Sequence, residues 1–300
     1  MPDLLRTLLA PVLLVQGKRM FARMPRLDAP ADLAPGPRGD GSPIHLLVVG
    51  DSSAAGYGAD RQEDVLLGQL VARLAHGRMG DVYKAKVHGV EGFERILVVK
   101  TIHPGYAAVP GFLDVVVEEA QRAVLLSHAN VAQVLNLGQE EEQQRAFLAT
   151  EYVNGLDLER AMQIARGAQT AWPMEISVFI AAEIANGLDY AHRRKDYNFN
   201  LLNIMHRDLS PTNVMLSNDG DVKVSDFGIS RAMTLIPPND DQERLRRVLY
   251  QAPESVRTRE QEYTQQSDIF SLGLLLYEML AGIHPYLTTT RDAEALSIRF

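Results

Sequence analysis

Two acidic motifs flank a short predicted β-hairpin in the second half of this 300-residue chain. The first is HRDLSPTN at residues 206–213, and the second is DFG at residues 226–228. The hairpin between them turns at Asp219-Gly220, a dipeptide that favours the tight turn of two antiparallel strands. This spacing places a carboxylate and a carboxamide on one loop, and a second carboxylate just beyond the hairpin.

The residue types in these two motifs suit phosphoryl transfer. One carboxylate, Asp208, would orient an attacking hydroxyl and accept its proton. The carboxylate of Asp226 and the amide oxygen of Asn213 would hold Mg²⁺, which offsets charge on phosphate groups. A single aspartate in a loop is more commonly a turn cap. Three such groups in this order favour a catalytic site instead.

Hydrophobic periodicity predicts strands in the first part of the chain and helices in the later part. Residues 81–85 and 96–101 read as strands, whereas 112–126 and 175–192 carry apolar residues along one helical face. A further helix is predicted over 268–282, where a glycine ends the pattern. This order indicates the α+β fold class, with a β-rich lobe joined to an α-rich lobe.

The N-terminal part of the sequence predicts its secondary structure less clearly. Residues 28–43 are rich in proline, glycine and aspartate and are predicted to form a linker. An apolar run at 44–49 suits a buried strand. The segment 65–75 fits either a helix or a strand, because its apolar residues match both periods.

Composition excludes several functional classes. The chain has no cysteine, which excludes disulfides, thiolate metal sites and cysteine nucleophiles and fits a reducing, cytoplasmic location. A formal net charge of −8 argues against a nucleic-acid partner. No run of 18 apolar residues occurs in the sequence, so no membrane span is predicted.

The two acidic motifs resemble those of the protein-kinase family, and most closely those of bacterial serine/threonine kinases. The resemblance covers residues 69–300 and implies a two-lobed fold, with an N-lobe at 69–150, a hinge at 151–157 and a C-lobe at 158–300. It implies ATP and Mg²⁺ as cofactors and transfer of phosphate to serine or threonine hydroxyls of a protein substrate.

The same resemblance implies roles for individual residues. Asp208, Arg207 and Lys100 would be catalytic, Asn213 and Asp226 would bind the metal, and Glu119 would form an ion pair with Lys100. Thr150 would be the gatekeeper, Glu151 and Val153 would offer backbone hydrogen bonds to adenine, and Asp157 would reach the ribose. The implied nucleotide-contacting set is Ala75, Gly77, Gly80, Val82, Val98, Lys100, Glu119, Thr150, Glu151, Val153, Asp157 and Leu216.

The sequence departs from the family pattern at several positions. Ala75 replaces the first glycine of the glycine-rich loop, and Ser210 stands where most serine/threonine kinases have a lysine. We predict that activation does not depend on phosphorylation of the segment after Asp226, and that Asp240, Asp241 or Glu243 pairs with Arg207. The family's last helices have no counterpart before Phe300, so an incomplete C-lobe and a catalytically weak pseudokinase or scaffold are alternatives.

Residues 48–58 resemble a different family, the GDSL (SGNH) hydrolases. The run VVGDSSAAGYG matches the strand and turn that carry their nucleophilic serine, which would be Ser52. These enzymes take their base from an Asp-x-x-His motif near their C-terminus, whereas the only run of that form here, residues 189–192, lies in the predicted helix 175–192 of the kinase-like part. The resemblance implies that residues 1–68 are a hydrolase-like fragment fused to the kinase-like part. A GDSL-type esterase using Ser52 is therefore an alternative function.

Overall fold

The computed structural model describes part of the chain. The described residues are 45–48, 66–77, 79–88, 94–139, 146–168, 172–227, 229–233, 235–237, 245, 248–257 and 263–287.

The first lobe is built on an antiparallel sheet. Its strands are β1 (His45–Val48), β2 (Leu66–His76), β3 (Asp81–His88), β4 (Glu94–Thr101), β5 (Val134–Gln139) and β6 (Ala146–Glu151). Within the described residues the sheet has the order β1-β2-β3-β4-β6-β5. One face of its centre buries a small apolar cluster that includes Ala85, Val99 and Phe147. The alternation expected for 81–85 and 96–101 is thus confirmed as strands β3 and β4.

Two helices lie between β4 and β5. Helix α1 covers Pro104–Ala107, and helix α2 covers Phe112–Ala123. The buried face of α2 carries Phe112, Val116, Ala120 and Ala123, together with the carboxylate-bearing Glu119. The helix ends at Ala123, earlier than the predicted residue 126, because Val124 is already its C-cap. An acidic side chain on the buried face of α2 requires cationic partners nearby.

The second lobe is mainly helical. Its helices are α3 (Leu158–Gly167), α4 (Met174–Arg193), α5 (Ser230–Met233), α6 (Pro253–Arg257) and α7 (Gln265–Ala281). A three-stranded antiparallel sheet of β7 (Gly155–Asp157), β8 (Val214–Ser217) and β9 (Val222–Val224) lies at its start. Helix α4 buries the predicted row, namely Ile176, Ile180, Ile184, Leu188 and Ala191. The hairpin predicted around Asp219-Gly220 is confirmed as β8 and β9.

Helix α7 begins earlier than predicted and ends where predicted. A capping box between Thr264 and Ser267 starts the helix at Gln265, three residues before Asp268. Gly282 adopts a left-handed conformation with φ 73° and ends it. Along α7, the buried carboxylate of Glu278 accepts hydrogen bonds from Arg166 at 3.0 Å and from the Tyr250 hydroxyl at 2.5 Å.

The ambiguous N-terminal segment is a strand. Leu66–His76 forms β2, which pairs with β3 on one side and with β1 on the other. The helical interpretation of 65–75 is therefore wrong, and the apolar run at 44–49 does contain a strand. The predicted boundary between residues 68 and 69 falls inside β2, because Leu66–Gly68 belong to the same strand as Gln69. No helix among the described residues is long and apolar enough to cross a membrane.

Candidate active site

Lys100 and Asp226 meet between the two lobes. Lys100 lies near the end of β4, and its ammonium group forms a salt bridge with the Asp226 carboxylate. The two residues are 126 positions apart in the chain, and both side chains are largely shielded from solvent. Phe227 orients this aspartate, since its ring is buried and packs edge-on against the His206 ring at 4.7 Å.

Backbone and side-chain hydrogen bonds join the two acidic motifs. The Asn213 amide donates to the Asp208 carbonyl at 2.7 Å, which fixes the carboxamide beside the loop. The Ser225 N–H donates to the Asn213 carbonyl at 2.8 Å, and the His206 ring donates to the Ser225 carbonyl at 2.7 Å. Ser225, the residue before Asp226, is therefore held by two hydrogen bonds to the loop that carries Asp208.

A buried carboxylate on α7 anchors this loop. Asp268 accepts the backbone N–H groups of His206 at 2.8 Å and Arg207 at 2.9 Å. It also accepts from the His192 ring at 2.8 Å, so each of its oxygens has a donor. The loop needs such support because Arg207 has φ 66°, a left-handed conformation that is unfavourable for a residue with a Cβ atom. Asp226 has the same φ of 66°.

The expected ion pair between Lys100 and Glu119 is wrong for this conformation. Lys100 binds Asp226, and Glu119 lies 3.4 Å from Arg207 and 3.2 Å from Arg231. The same Arg231 guanidinium lies 3.1 Å from Glu118, so it bridges two neighbouring carboxylates of α2. Helix α5, which carries Arg231, packs against α2. Arg207 and Arg231 supply the positive charge that the buried Glu119 carboxylate requires. Lys100 is therefore paired with Asp226.

Sequence reasoning missed Arg231. No local pattern marks it, because its partners are 112 and 113 residues away. The predicted partners of Arg207, at residues 240, 241 and 243, lie outside the described residues. Where the structure describes it, Arg207 contacts Glu119 instead.

The glycine-rich turn lies against the end of β4. A Cβ atom on Gly80 would lie 2.2 Å from the Thr101 carbonyl oxygen, so only glycine fits there. The His103 N–H donates to the Met79 carbonyl at 2.7 Å, and the Met79 side chain is buried in the main core. Gly77 closes the turn through its N–H, which donates to the Gly80 carbonyl at 2.8 Å.

Several of the remaining predicted nucleotide-contacting residues lie on paired strands. Val82 on β3 pairs with Lys100 on β4, and Val98 pairs with Thr150 on β6. Thr150 is buried, and Ala75, on β2, is exposed. The pairing of β7 with β8 brings Leu216 opposite Leu156. Sheet pairing thus brings Val82 beside Lys100 and Val98 beside Thr150, whereas Leu216 lies in the separate three-stranded sheet.

The hinge strand leads directly into helix α3. The Glu151 N–H donates to the Gln133 carbonyl at 2.8 Å, and the Glu151 carboxylate lies 3.0 Å from the Lys223 amine. Val153 is buried just beyond it. The Asp157 side chain accepts the Arg160 N–H at 2.7 Å and so caps α3. In this conformation Asp157 therefore acts as a helix cap.

The oxygen groups at the site suit magnesium better than a transition metal. Asp226 supplies a carboxylate, and Asn213 keeps its amide oxygen available because its NH₂ group makes the bond to Asp208. Among the described residues there is no group of three or more histidine or acidic side chains that could hold a metal ion. Mg²⁺ is commonly bound by one or two protein oxygens together with substrate phosphates and water, so these residues fit that ion.

The described geometry combines a lysine, a metal-suited carboxylate and amide, and an aspartate-bearing loop between a sheet lobe and a helical lobe. The family model described as "Protein kinase domain" matches residues 69–299. The chain belongs to the protein kinase family. This match includes both acidic motifs, the hinge and most of strand β2.

Several known kinases are similar to this chain. Tyrosine-protein kinase MasK of Myxococcus xanthus is 34% identical over 217 residues, which are 72% of this chain and 33% of that protein. Serine/threonine-protein kinase PrkC of Bacillus subtilis is 30% identical over 218 residues, which are 73% of this chain and 31% of that protein. The chain thus spans about a third of the length of these relatives.

A solved kinase structure has the same fold. The kinase domain of Mycobacterium tuberculosis PknI aligns with a TM-score of 0.56 and 26% identity, covering 75% of this chain and 77% of that one. A β-sheet N-lobe and a helical C-lobe are therefore shown for this protein kinase. Ser52 and most of the hydrolase-like segment lie outside the described residues, and the kinase match begins after that segment.

Proposed function

We propose that this chain transfers the γ-phosphate of ATP to a serine or threonine hydroxyl of a protein substrate. The observation that carries the proposal is the meeting of Lys100 and Asp226 beside the loop of Asp208 and Asn213. Family membership supports ATP as the phosphate donor and a protein as the acceptor.

In the proposed reaction Asp208 orients the substrate hydroxyl and accepts its proton as the oxygen attacks the γ-phosphorus. The bond from that phosphorus to the β–γ bridging oxygen breaks, and ADP leaves. Asn213 and Asp226 would hold Mg²⁺, which would neutralise charge on the phosphates. Lys100, which pairs with Asp226 in this structure, would instead bind the phosphates. The hydroxyl of Ser210 takes the place of the usual lysine without supplying charge.

The nucleotide base is proposed to lie against the hinge. The backbone groups of Glu151 and Val153 would bond adenine, with Thr150 behind them as the gatekeeper. Apolar side chains above and below the ring would be those of Val82, Val98 and Leu216. The ribose would approach Asp157, whose carboxylate also caps α3. The glycine turn at Ala75, Gly77 and Gly80 would cover the phosphates.

Serine/threonine specificity rests on the run that follows His206-Arg207-Asp208. This run differs from that of tyrosine kinases, and several relatives are named as serine/threonine kinases. MasK is named a tyrosine kinase, so the acceptor residue requires its own measurement. Phosphoamino-acid analysis of the labelled product should give phosphoserine or phosphothreonine. Phosphotyrosine as the sole product would contradict the proposed specificity while leaving kinase activity intact.

The decisive experiment measures transfer of radiolabelled phosphate from ATP to the chain itself and to a general substrate such as myelin basic protein. Asp208→Asn should abolish the labelling. The matched control is Asp189→Asn, which alters a carboxylate that is exposed and paired with Arg193 on the surface. Stabilisation of the folded chain by Mg-ATP, without any turnover, would instead support the pseudokinase alternative.

A location in the cytoplasm, where ATP is available, is part of the proposal.

A further inference from the structure

A cleft lies beside the hinge and shares Glu151 with it. It has a volume of about 370 Å³, within the range of roughly 300–1,000 Å³ found for small-molecule sites. Its walls come from the start of β4, the loop between α2 and β5, the end of β6 and strand β9. The cleft is lined by polar side chains that include Arg95, His128, Gln133, Glu151 and Lys223.

The charges lining the cleft do not balance. Glu151 is the acidic residue in the described lining. Its carboxylate already forms a salt bridge with Lys223 at 3.0 Å and accepts a hydrogen bond from the Gln133 N–H at 3.2 Å. Arg95 is exposed, and within the described parts of the chain its guanidinium has no acidic partner. The cleft therefore keeps one uncompensated positive charge in a chain whose formal net charge is −8.

His128 adds a further hydrogen-bond donor, the Nε2–H group of its ring. The His128 Nδ1 atom accepts the Asn130 N–H at 3.2 Å, so the proton of the neutral ring lies on Nε2. The ring is held in place by stacking on Tyr190, with centroids 4.8 Å apart. Val131 is buried and gives the cleft an apolar base. A planar guanidinium, an ammonium group and an imidazole N–H form a donor set that suits oxyanions.

We propose that this cleft binds a small oxyanionic ligand, a carboxylate or phosphate compound, through Arg95 with support from Lys223 and His128. The ligand would neutralise the unpaired guanidinium and share the Lys223 ammonium with Glu151. The proposed site does not depend on phosphoryl transfer. Its test is therefore independent of whether the chain is an active kinase.

Sodium citrate and inorganic phosphate serve as the two probes, each titrated by isothermal calorimetry without Mg²⁺ and at an ionic strength fixed with NaCl. Saturable binding with a dissociation constant on the order of 1 mM or tighter is expected. Stronger binding of citrate would identify a carboxylate ligand, and stronger binding of phosphate would identify a phosphate ligand. Absence of saturable binding for both probes would overturn the proposal.

Three variants locate the bound anion. Arg95→Gln should weaken binding by at least about tenfold, since it removes the unpaired, charged donor. Lys195→Gln makes the same change in charge at an exposed residue outside the cleft and should leave the affinity unchanged. Lys100→Gln should also retain binding. Loss of binding in Lys100→Gln, or equal weakening in Arg95→Gln and Lys195→Gln, would place the anion elsewhere and overturn the proposal.

Discussion

Arg231 donates a hydrogen bond to Glu119 across 3.2 Å, and so joins the short helix after Asp226-Phe227 to the buried face of α2. The guanidinium also bonds Glu118 at 3.1 Å, which makes it a bridge between two carboxylates of one helix. The bond to Glu119 raises the pKa of Arg231 above its ordinary value, so this bridge stays charged at any physiological pH. Glu119 consequently faces arginine while Lys100 faces Asp226.

Removing this bridge should increase catalysis. In Arg231→Met, Glu119 loses a competitor for Lys100, and Lys100 in turn can release Asp226 for the metal. A partly exposed pair of this kind contributes about 1 kcal/mol, which corresponds to a rate increase of about fivefold. The initial rate of peptide phosphorylation measures it. Arg193→Met, which removes an exposed pair with Asp189, is the control and should not change the rate. A slower Arg231→Met enzyme of unchanged stability would contradict the role given to the bridge.

Gly80→Ala should damage the glycine turn. The new methyl group would lie 2.2 Å from the Thr101 carbonyl oxygen, so the turn must move away from β4. Overpacking of this kind costs about 1–3 kcal/mol, and we expect a higher KM for ATP together with a lower Tm. Gly167→Ala is the matched control, because its Cβ position has no described atom within 4 Å apart from its chain neighbours and its own helix backbone. Equal effects of the two substitutions would show that the close approach at Gly80 is unimportant.

Asp268→Ala should lower both stability and activity. The substitution leaves the N–H groups of His206 and Arg207 without their acceptor in a buried region. Removing one member of a buried charged network costs about 3–5 kcal/mol, a large part of the roughly 5–15 kcal/mol that stabilises a typical domain. Urea denaturation measures the change. Asp189→Ala, at an exposed pair, should stay within about 0.5 kcal/mol of the parent chain.

His284 should make stability depend on pH. Burial lowers the pKa of this histidine from its usual 6.5, although the nearby Glu278 acts in the opposite direction. The ring packs edge-on against Tyr250 at 4.8 Å and near Tyr286 at 5.5 Å. Because the His284 pKa is lower in the folded chain, the unfolded chain binds a proton at this ring more readily. The free energy of unfolding should therefore fall as the pH drops below 6.5.

Denaturation at a series of pH values in His284→Phe tests this assignment. Phenylalanine keeps the ring packing and removes the titrating group, so the decline at acidic pH should become shallower. The same pH dependence in both chains would mean that other groups cause it. Tyr250 itself should not contribute, because burial and the Glu278 charge raise its pKa and keep its hydroxyl protonated.

Elements whose burial follows from one-sided periodicity were predictable from sequence. Helix α4 has its apolar residues on one face, and the β8–β9 hairpin has a turn that is favoured locally. The conformation of strand β2 could not be predicted from sequence, because the spacing of its apolar residues fits a helix equally well. Pairing with β1 and β3 settles its conformation, and that pairing is a tertiary property.

The site shows the same limit. The motifs locate the Asp208 loop and Asp226, because the hairpin between them fixes their separation. The partner of Glu119 depends instead on where α5 lies against α2, and these helices are more than 100 residues apart. Three arginines lie near Glu119, namely Arg122, Arg207 and Arg231, and sequence alone does not rank them against Lys100.

Strand β1 has a consequence for any shortened form of this protein. It pairs residue by residue with the first part of β2, from His45 opposite Gln69 to Val48 opposite Leu66. A chain started at the family boundary would lose that cover and part of β2 itself. The N–H and C=O groups newly exposed along β2 would then be available to strands of other molecules. Self-association in such a truncated form would therefore reflect a missing neighbour, and no defect of the catalytic lobes.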